Sequence, residues 1–179
     1  MATYVTTEDI TPIQSEIDFF KLMDKHDPMR KYGESVSLGI KDAMDELETL
    51  LEQKYQENLS KYGLSGSDMA SNYTIRMLDD YTLEIKVGTD YAIYVEYGTG
   101  IVGKKAKHHP NPEIPWQHDV NNHGEKGWFY MEGGRGHWTA GQASRPFMYD
   151  TWMWIRRSFT NIAGKHIRRR VKEWERSLQ

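Results

Sequence analysis

Three groups of residues in this chain are of types that do chemistry. Five histidines, His108, His109, His118, His123 and His137, crowd one stretch with Glu113, Asp119 and Glu125. Imidazole and carboxylate together are the usual zinc ligand set. The spacing, however, matches no fixed metal motif such as His-Glu-x-x-His, and adjacent histidines seldom both reach one ion. Ser144 stands near His137 and Asp150 in sequence. It sits outside any Gly-x-Ser-x-Gly elbow, and nothing around it marks an activated nucleophile. The third is Glu96, a carboxylate inside the apolar run Tyr91 to Gly100, YAIYVEYGTG. A buried carboxylate needs partners. Backbone N–H groups of the Gly98–Gly100 turn or the guanidinium of Arg145 are the expected ones. With no cysteine in the chain, thiolate chemistry is excluded. The expectation is a protein without catalysis, metal or cofactor, in which Glu96 is structural.

Composition agrees with an ordinary folded chain. It has 179 residues, 38% hydrophobic and 27% charged, enough for a real core. No apolar run approaches the ~20 residues of a membrane span. The first residues, MATYVTTEDI, have neither basic nor apolar leader character, so cytoplasmic folding is expected. The net charge of −3 conceals a split. Residues 1–100 carry 9 basic against 19 acidic side chains, and residues 101–179 carry 14 against 7. Opposite charges on two halves of one chain suit pairing between copies, or a basic face toward nucleic acid.

The elements that position these groups read as α+β. Thr11-Pro12 opens a first helix that Asp27-Pro28 ends. A second helix, capped by Ser35, repeats Val36, Ile40, Ala43, Leu47, Leu50, Leu51 and Leu59 at three- and four-residue steps. Gly63 stops it. Its other positions, Asp42 to Glu57, form an acidic face. Tyr73–Met77 and Thr82–Val87 make a hairpin about Asp79-Asp80, with Leu83, Ile85 and Val87 inward and Thr82, Glu84 and Lys86 outward. The Tyr91 stretch alternates like a strand, yet Asp90 and Gly98 favour a short helix. Residues 101–126, with Lys104, Lys105 and three prolines, read as one long loop. Trp116 and Trp128 are its candidate anchors. A second hairpin surrounds Gly133-Gly134, and Pro146 opens a last helix from Phe147 to about Ser177. Its polar side carries Arg157, Lys165, Arg168, Arg169 and Lys172. The expected architecture is a small antiparallel sheet of two hairpins packed by a long N-terminal and a long C-terminal helix. Residues 1–62 form a helical arm of the same core, and 63–179 an α+β domain with the extended loop.

In combination, YAIYVEYGTG, the later Pro115-Trp116, GWFYMEGGRGHWTAGQ and Arg145-Pro146-Phe147-Met148 resemble the minor tail-component family of long-tailed bacteriophages. Its members complete the tail and join it to the filled head at the neck. The likeness covers about Ser65 to Trp152. Its motif positions here are Tyr91, Glu96, Gly98, Thr99, Gly100, Arg145, Pro146 and Phe147. The resemblance implies a virion structural protein assembled in the host cytoplasm, in a ring of six or twelve copies. Its implied neighbours are a head-completion protein and a tail terminator or tube protein. The basic helix face would then meet either the acidic helix of an adjacent copy, the favoured reading, or double-stranded DNA in the channel, bound without sequence preference.

Overall fold

A computed structural model describes residues 4–5, 28–111, 113–118 and 127–178. In order these form β1 (Tyr4–Val5), α1 (Pro28–Lys61), β2 (Tyr73–Asp79), β3 (Thr82–Val87), α2 (Ala92–Tyr97), α3 (Gly100–Lys105), β4 (Trp128–Glu132), β5 (Arg135–Thr139) and α4 (Phe147–Arg176). The class is α+β. The two hairpins lie in separate antiparallel sheets, one ordered β1-β3-β2 and the other β4-β5. The helix expected after Thr11 lies outside the described residues.

The chain divides into two compact units that interleave in sequence. One comprises residues 1–54, 73–86 and 152–179, and the other 55–72 and 87–151. In the first, α1 and α4 pack antiparallel. Tyr32 meets Trp174 edge-on at 5.8 Å between ring centroids. Gly39 sits against the backbone of Ile167, and further along Glu46 takes Lys165 and His166 at 3.0 and 2.6 Å. The buried stripe of α1, Val36, Ile40, Ala43, Leu47 and Leu51, is the one its periodicity marks. The hairpin β2–β3 closes on the same helix through Ser37 to Tyr81, Lys41 to Asp80 and Tyr73 to Glu52.

Two expectations change here. Ser35 does not cap α1; the helix begins about two turns earlier, at Pro28. Proline costs nothing in a first turn, where its missing N–H would have no partner. Ser35 instead donates back to the Lys31 carbonyl. Glu84, expected to face solvent, is buried. Its strand is the central one of three, and the Nε of Arg76 donates to its carboxylate at 2.8 Å.

The second unit holds the C-terminal end of α1 and the first turn of α4. Leu64 N–H reaches back to Leu59 and Gly63 N–H to Ser60, with Gly63 at φ +69°. This paired closure needs a left-handed residue and gives the predicted stop a mechanism. Tyr55 is fully buried against Phe147 and donates its hydroxyl to Met69 C=O. Asn58 donates to the Thr151 hydroxyl, which itself donates to Phe147 C=O. Asp150 takes Lys61 and Tyr62. Burial alone would raise its carboxyl, but those two hydrogen bonds outweigh it and hold it below its ordinary value.

Two measurements test the helix contact of the first unit. A methyl at Gly39 would lie 2.6 Å from Ile167 Cα. Helix propensity favours alanine by about 1 kcal/mol, whereas a backbone clash costs about 1–3 kcal/mol. Gly39→Ala should therefore lower the urea midpoint; a raised midpoint would show that the two helices do not touch there. Asp42 is held at about 2, chiefly by its hydrogen bonds to Arg170. A depressed carboxylate stabilises fully above its unfolded value of 3.8 and progressively less as pH falls toward about 2. The stability gap between wild type and Asp42→Asn, read by urea titration, should be constant above about pH 5 and close below pH 3.

Candidate functional site

The residues of the YAIYVEYGTG and RPFM motifs meet in the second unit. Asp90 and Gly98 do bracket a helix: α2 runs Ala92–Tyr97, and Gly98 leaves it at φ +78°. A side chain at Gly98 would lie 2.6 Å from the Ser144 backbone nitrogen. Only glycine permits both the left-handed turn and that approach. Thr99, buried, then exchanges two backbone hydrogen bonds with Gln142, at 2.8 and 3.0 Å. Arg145 N–H donates to Val95 C=O at 2.9 Å, and the Ser144 hydroxyl to Glu96 C=O at 2.6 Å. The two segments are stitched together through their backbones.

Glu96 is the centre of the junction. It is 7% exposed. Its carboxylate accepts the N–H of Met148 at 3.0 Å and of Tyr149 at 2.9 Å. These are early amides of α4, whose first intrahelical bond runs from Asp150 to Pro146 C=O. Such amides have no partner within their own helix and form the positive end of its dipole. Proline in the capping position has no side-chain acceptor, so a carboxylate from another element does the work of an N-cap. The expected partners, the Gly98–Gly100 amides and Arg145, are not the ones used. Gly98 N–H closes α2, Thr99 N–H reaches Gln142, and Gly100 N–H reaches His118 C=O.

A third donor comes from the segment after α3. His109 Nε2 lies 3.0 Å from Glu96, and its Nδ1 accepts the Asn111 N–H. That acceptor role places the ring proton on Nε2, from which it is donated to the carboxylate. The His109 ring lies 4.2 Å from the Tyr97 ring and edge-on to Tyr149. Trp116 stacks on Tyr97 at 5.0 Å and donates its indole N–H to Gly98 C=O at 2.7 Å. Burial, then the Glu96 charge, push the Tyr97 phenol upward.

The expected loop of 101–126 is therefore not one loop. Its first residues form α3, with Lys104 and Lys105 exposed in a helical last turn, where positive charge suits the dipole. Residues 106–111 and 113–118 return onto α2 through His109 and Trp116. Trp116 is an anchor within its own chain. Trp128 is half-buried at the start of β4, opposite Thr139. Tyr91 precedes α2 and is 39% exposed. Among the described residues, no three metal-ligating side chains converge. His123, Asp119 and Glu125 lie outside those residues. His108 and His118 stand 5.3 Å apart, and burial pushes the His118 imidazole downward. The Ser144, His137 and Asp150 trio is dispersed. Ser144 binds Glu96 C=O, Asp150 binds Lys61, and His137 stacks on Tyr130.

The basic face of α4 is partly neutralised inside the first unit. Arg170 grips Asp42 with both ends of its guanidinium, at 2.6 and 2.8 Å, and Arg169 adds a third contact at 2.8 Å. Lys165 reaches Glu46. The acidic and basic faces expected to meet between copies thus meet within one chain at these residues, because antiparallel packing brings them together. Arg157, Arg168 and Lys172 stay exposed and form no ion pair among the described residues.

Hydrogen bonds to a charged group are worth about 1.5–3 kcal/mol each. Glu96→Gln replaces one acceptor oxygen with an NH2 that cannot accept from α4 or His109. It should lower unfolding free energy by about 2 kcal/mol or more in urea denaturation. His109→Ala should cost less, and its effect should shrink in the Glu96→Gln background, because both substitutions remove one shared interaction. Additive costs would mean that the pair is not coupled.

No family model, curated protein or solved structure matches the chain.

Proposed function

We propose that the chain is a structural subunit of the neck of a long-tailed bacteriophage, without catalytic activity. It would form a ring that joins the DNA-filled head to the tail, between a head-completion protein and a tail terminator or tube protein. The observation that carries the reading is the meeting of the two motif halves on which the family resemblance rests. Glu96 of YAIYVEYGTG caps the helix that RPFM opens. The motif residues hold backbone together, and the chemistry-capable side chains are absorbed in that role: Ser144 ties a carbonyl and His109 donates to the cap. That is the use a scaffold makes of such residues.

A ring makes a direct prediction. Native mass spectrometry of the purified chain should give one closed species of six or twelve copies. Negative-stain images of that species should show a central opening. A chain that stays monomeric at every concentration tested would count against it.

Arg157, Arg168 and Lys172 favour a second role for the same ring, contact with the DNA it would surround. Three phosphate contacts give a salt slope of about −2 to −3 in log K against log salt. Fluorescence anisotropy with duplex DNA should show that slope, flattened in the triple Ala variant and independent of sequence. Binding that salt leaves unchanged would exclude this role.

A further inference from the structure

Most of the described residues of the hairpin β4–β5 are exposed. Phe129, Met131 and Trp138 are 71%, 70% and 56% exposed. Phe129 lies directly opposite Trp138 in the ladder, with rings 4.9 Å apart, and Met131 follows two residues along the same strand. They therefore share one face. On the other face Tyr130 is 43% exposed and stacks on His137. The turn is two glycines, both with positive φ, the form that keeps a tight two-residue hairpin in twist. A two-stranded hairpin alone is marginal in water. One that bares large apolar side chains on both faces is built to be covered.

We infer that the Phe129–Met131–Trp138 face docks onto a second copy of this chain, so that the hairpin is the contact that propagates the ring. The inference rests on the ring reading above. Three observations choose the occupant. First, the hairpin carries a single acid and a single base, Glu132 and Arg135, in the twelve residues from Trp128 to Thr139. A neutral apolar face suits neither polyanions nor anionic lipid, which basic residues recognise. Second, the same unit bares a separate apolar set, Tyr91 and Ile93 beside and in α2, Val102 in α3, and Ile114 beyond it, each 37–43% exposed. Donor and receiver on one chain make a head-to-tail contact that repeats and, with a suitable rotation, closes. Third, the area is of the right order. Side chains of this size offer about 150–250 Å² each, so the three bare roughly 400 Å². With an equal area on the receiver, the patch supplies about two fifths to two thirds of a standard interface of about 1,200–2,000 Å² before any polar rim.

The experiment compares wild type with the double variant Phe129→Ser, Met131→Ser by native mass spectrometry, alongside circular dichroism and melting temperature. Both side chains are exposed, so the fold should persist. The expected result is an oligomer for wild type and a monomer, or at least a tenfold weaker association, for the variant at unchanged helicity. A second reading uses the absence of native cysteine. Protomers carrying Phe129→Cys, mixed with protomers carrying Val102→Cys, should form interchain disulfides on mild oxidation, well above either alone. A wild-type ring that the double variant leaves intact, with no such cross-link, overturns the hairpin contact and spares the ring. A monomeric wild type overturns both. A monomeric wild type that binds neutral phosphatidylcholine vesicles through Phe129 would assign the face to lipid instead.

Discussion

A single carboxylate at the start of a helix organises the second unit. The amides of Met148 and Tyr149 point out of α4 with no intrahelical acceptor, and Pro146 brings none. Glu96, 52 residues earlier than Met148, supplies it. Buried, an ionised carboxylate is costly unless its lone pairs are used, and here three donors use them: two amides and the His109 imidazole. The dependence is mutual, since the helix needs the acid and the acid needs the helix. From that bond the neighbouring geometry follows. The Thr99 to Gln142 bridge, the Arg145 to Val95 bond and the Ser144 to Glu96 bond all lie within a few residues of it. The glycines at 98 and 100 exist because backbones approach there too closely for a side chain.

The first unit is held by a different physical device. Its helices lie antiparallel, acid on α1 facing base on α4, with Asp42 held by Arg169 and Arg170, and Glu46 by Lys165 and His166. Individual exposed ion pairs contribute little. The grip of Arg170 on Asp42 is forked and the carboxylate is four-fifths covered, which is the geometry that counts. The charge split along the sequence is in part the imprint of this packing.

Elements whose boundary signals are local were legible in the sequence. Phe147 follows a helix-opening proline, Gly63 supplies a left-handed stop, and β3 alternates around Leu83 and Ile85. The helix at Tyr91–Gly98 was legible only by preferring its flanking residues to its period. What depends on contacts distant in sequence was not. Pro28 can end one segment or begin another, and only the packing of α1 decides. Glu84 reads as outward by alternation, yet β1 pairs with its strand from 80 residues away. Glu96 announces that it needs partners, but its real ones sit 13 and 52 residues along the chain. His109 and Trp116 carried the right chemistry, hidden within a composition that reads as loop.

The contrast between the junction and the hairpin bears on what the fold is for. Around Glu96 the carboxylate has three donors and the backbones approach too closely for side chains at Gly98 and Gly100. The exit of β5 is tied directly to that junction: Val102 N–H binds Ala140 C=O, and Gln142 bridges Thr99. Gly141 N–H closes on the Thr139 hydroxyl. The hairpin is thus fixed at its root and bare on both faces. An element held in this way loses little freedom when something covers it, and lost freedom is the main cost that apolar area must overcome in association. Here the rigidity lies behind an apolar surface, where it would lower the cost of the docking proposed above.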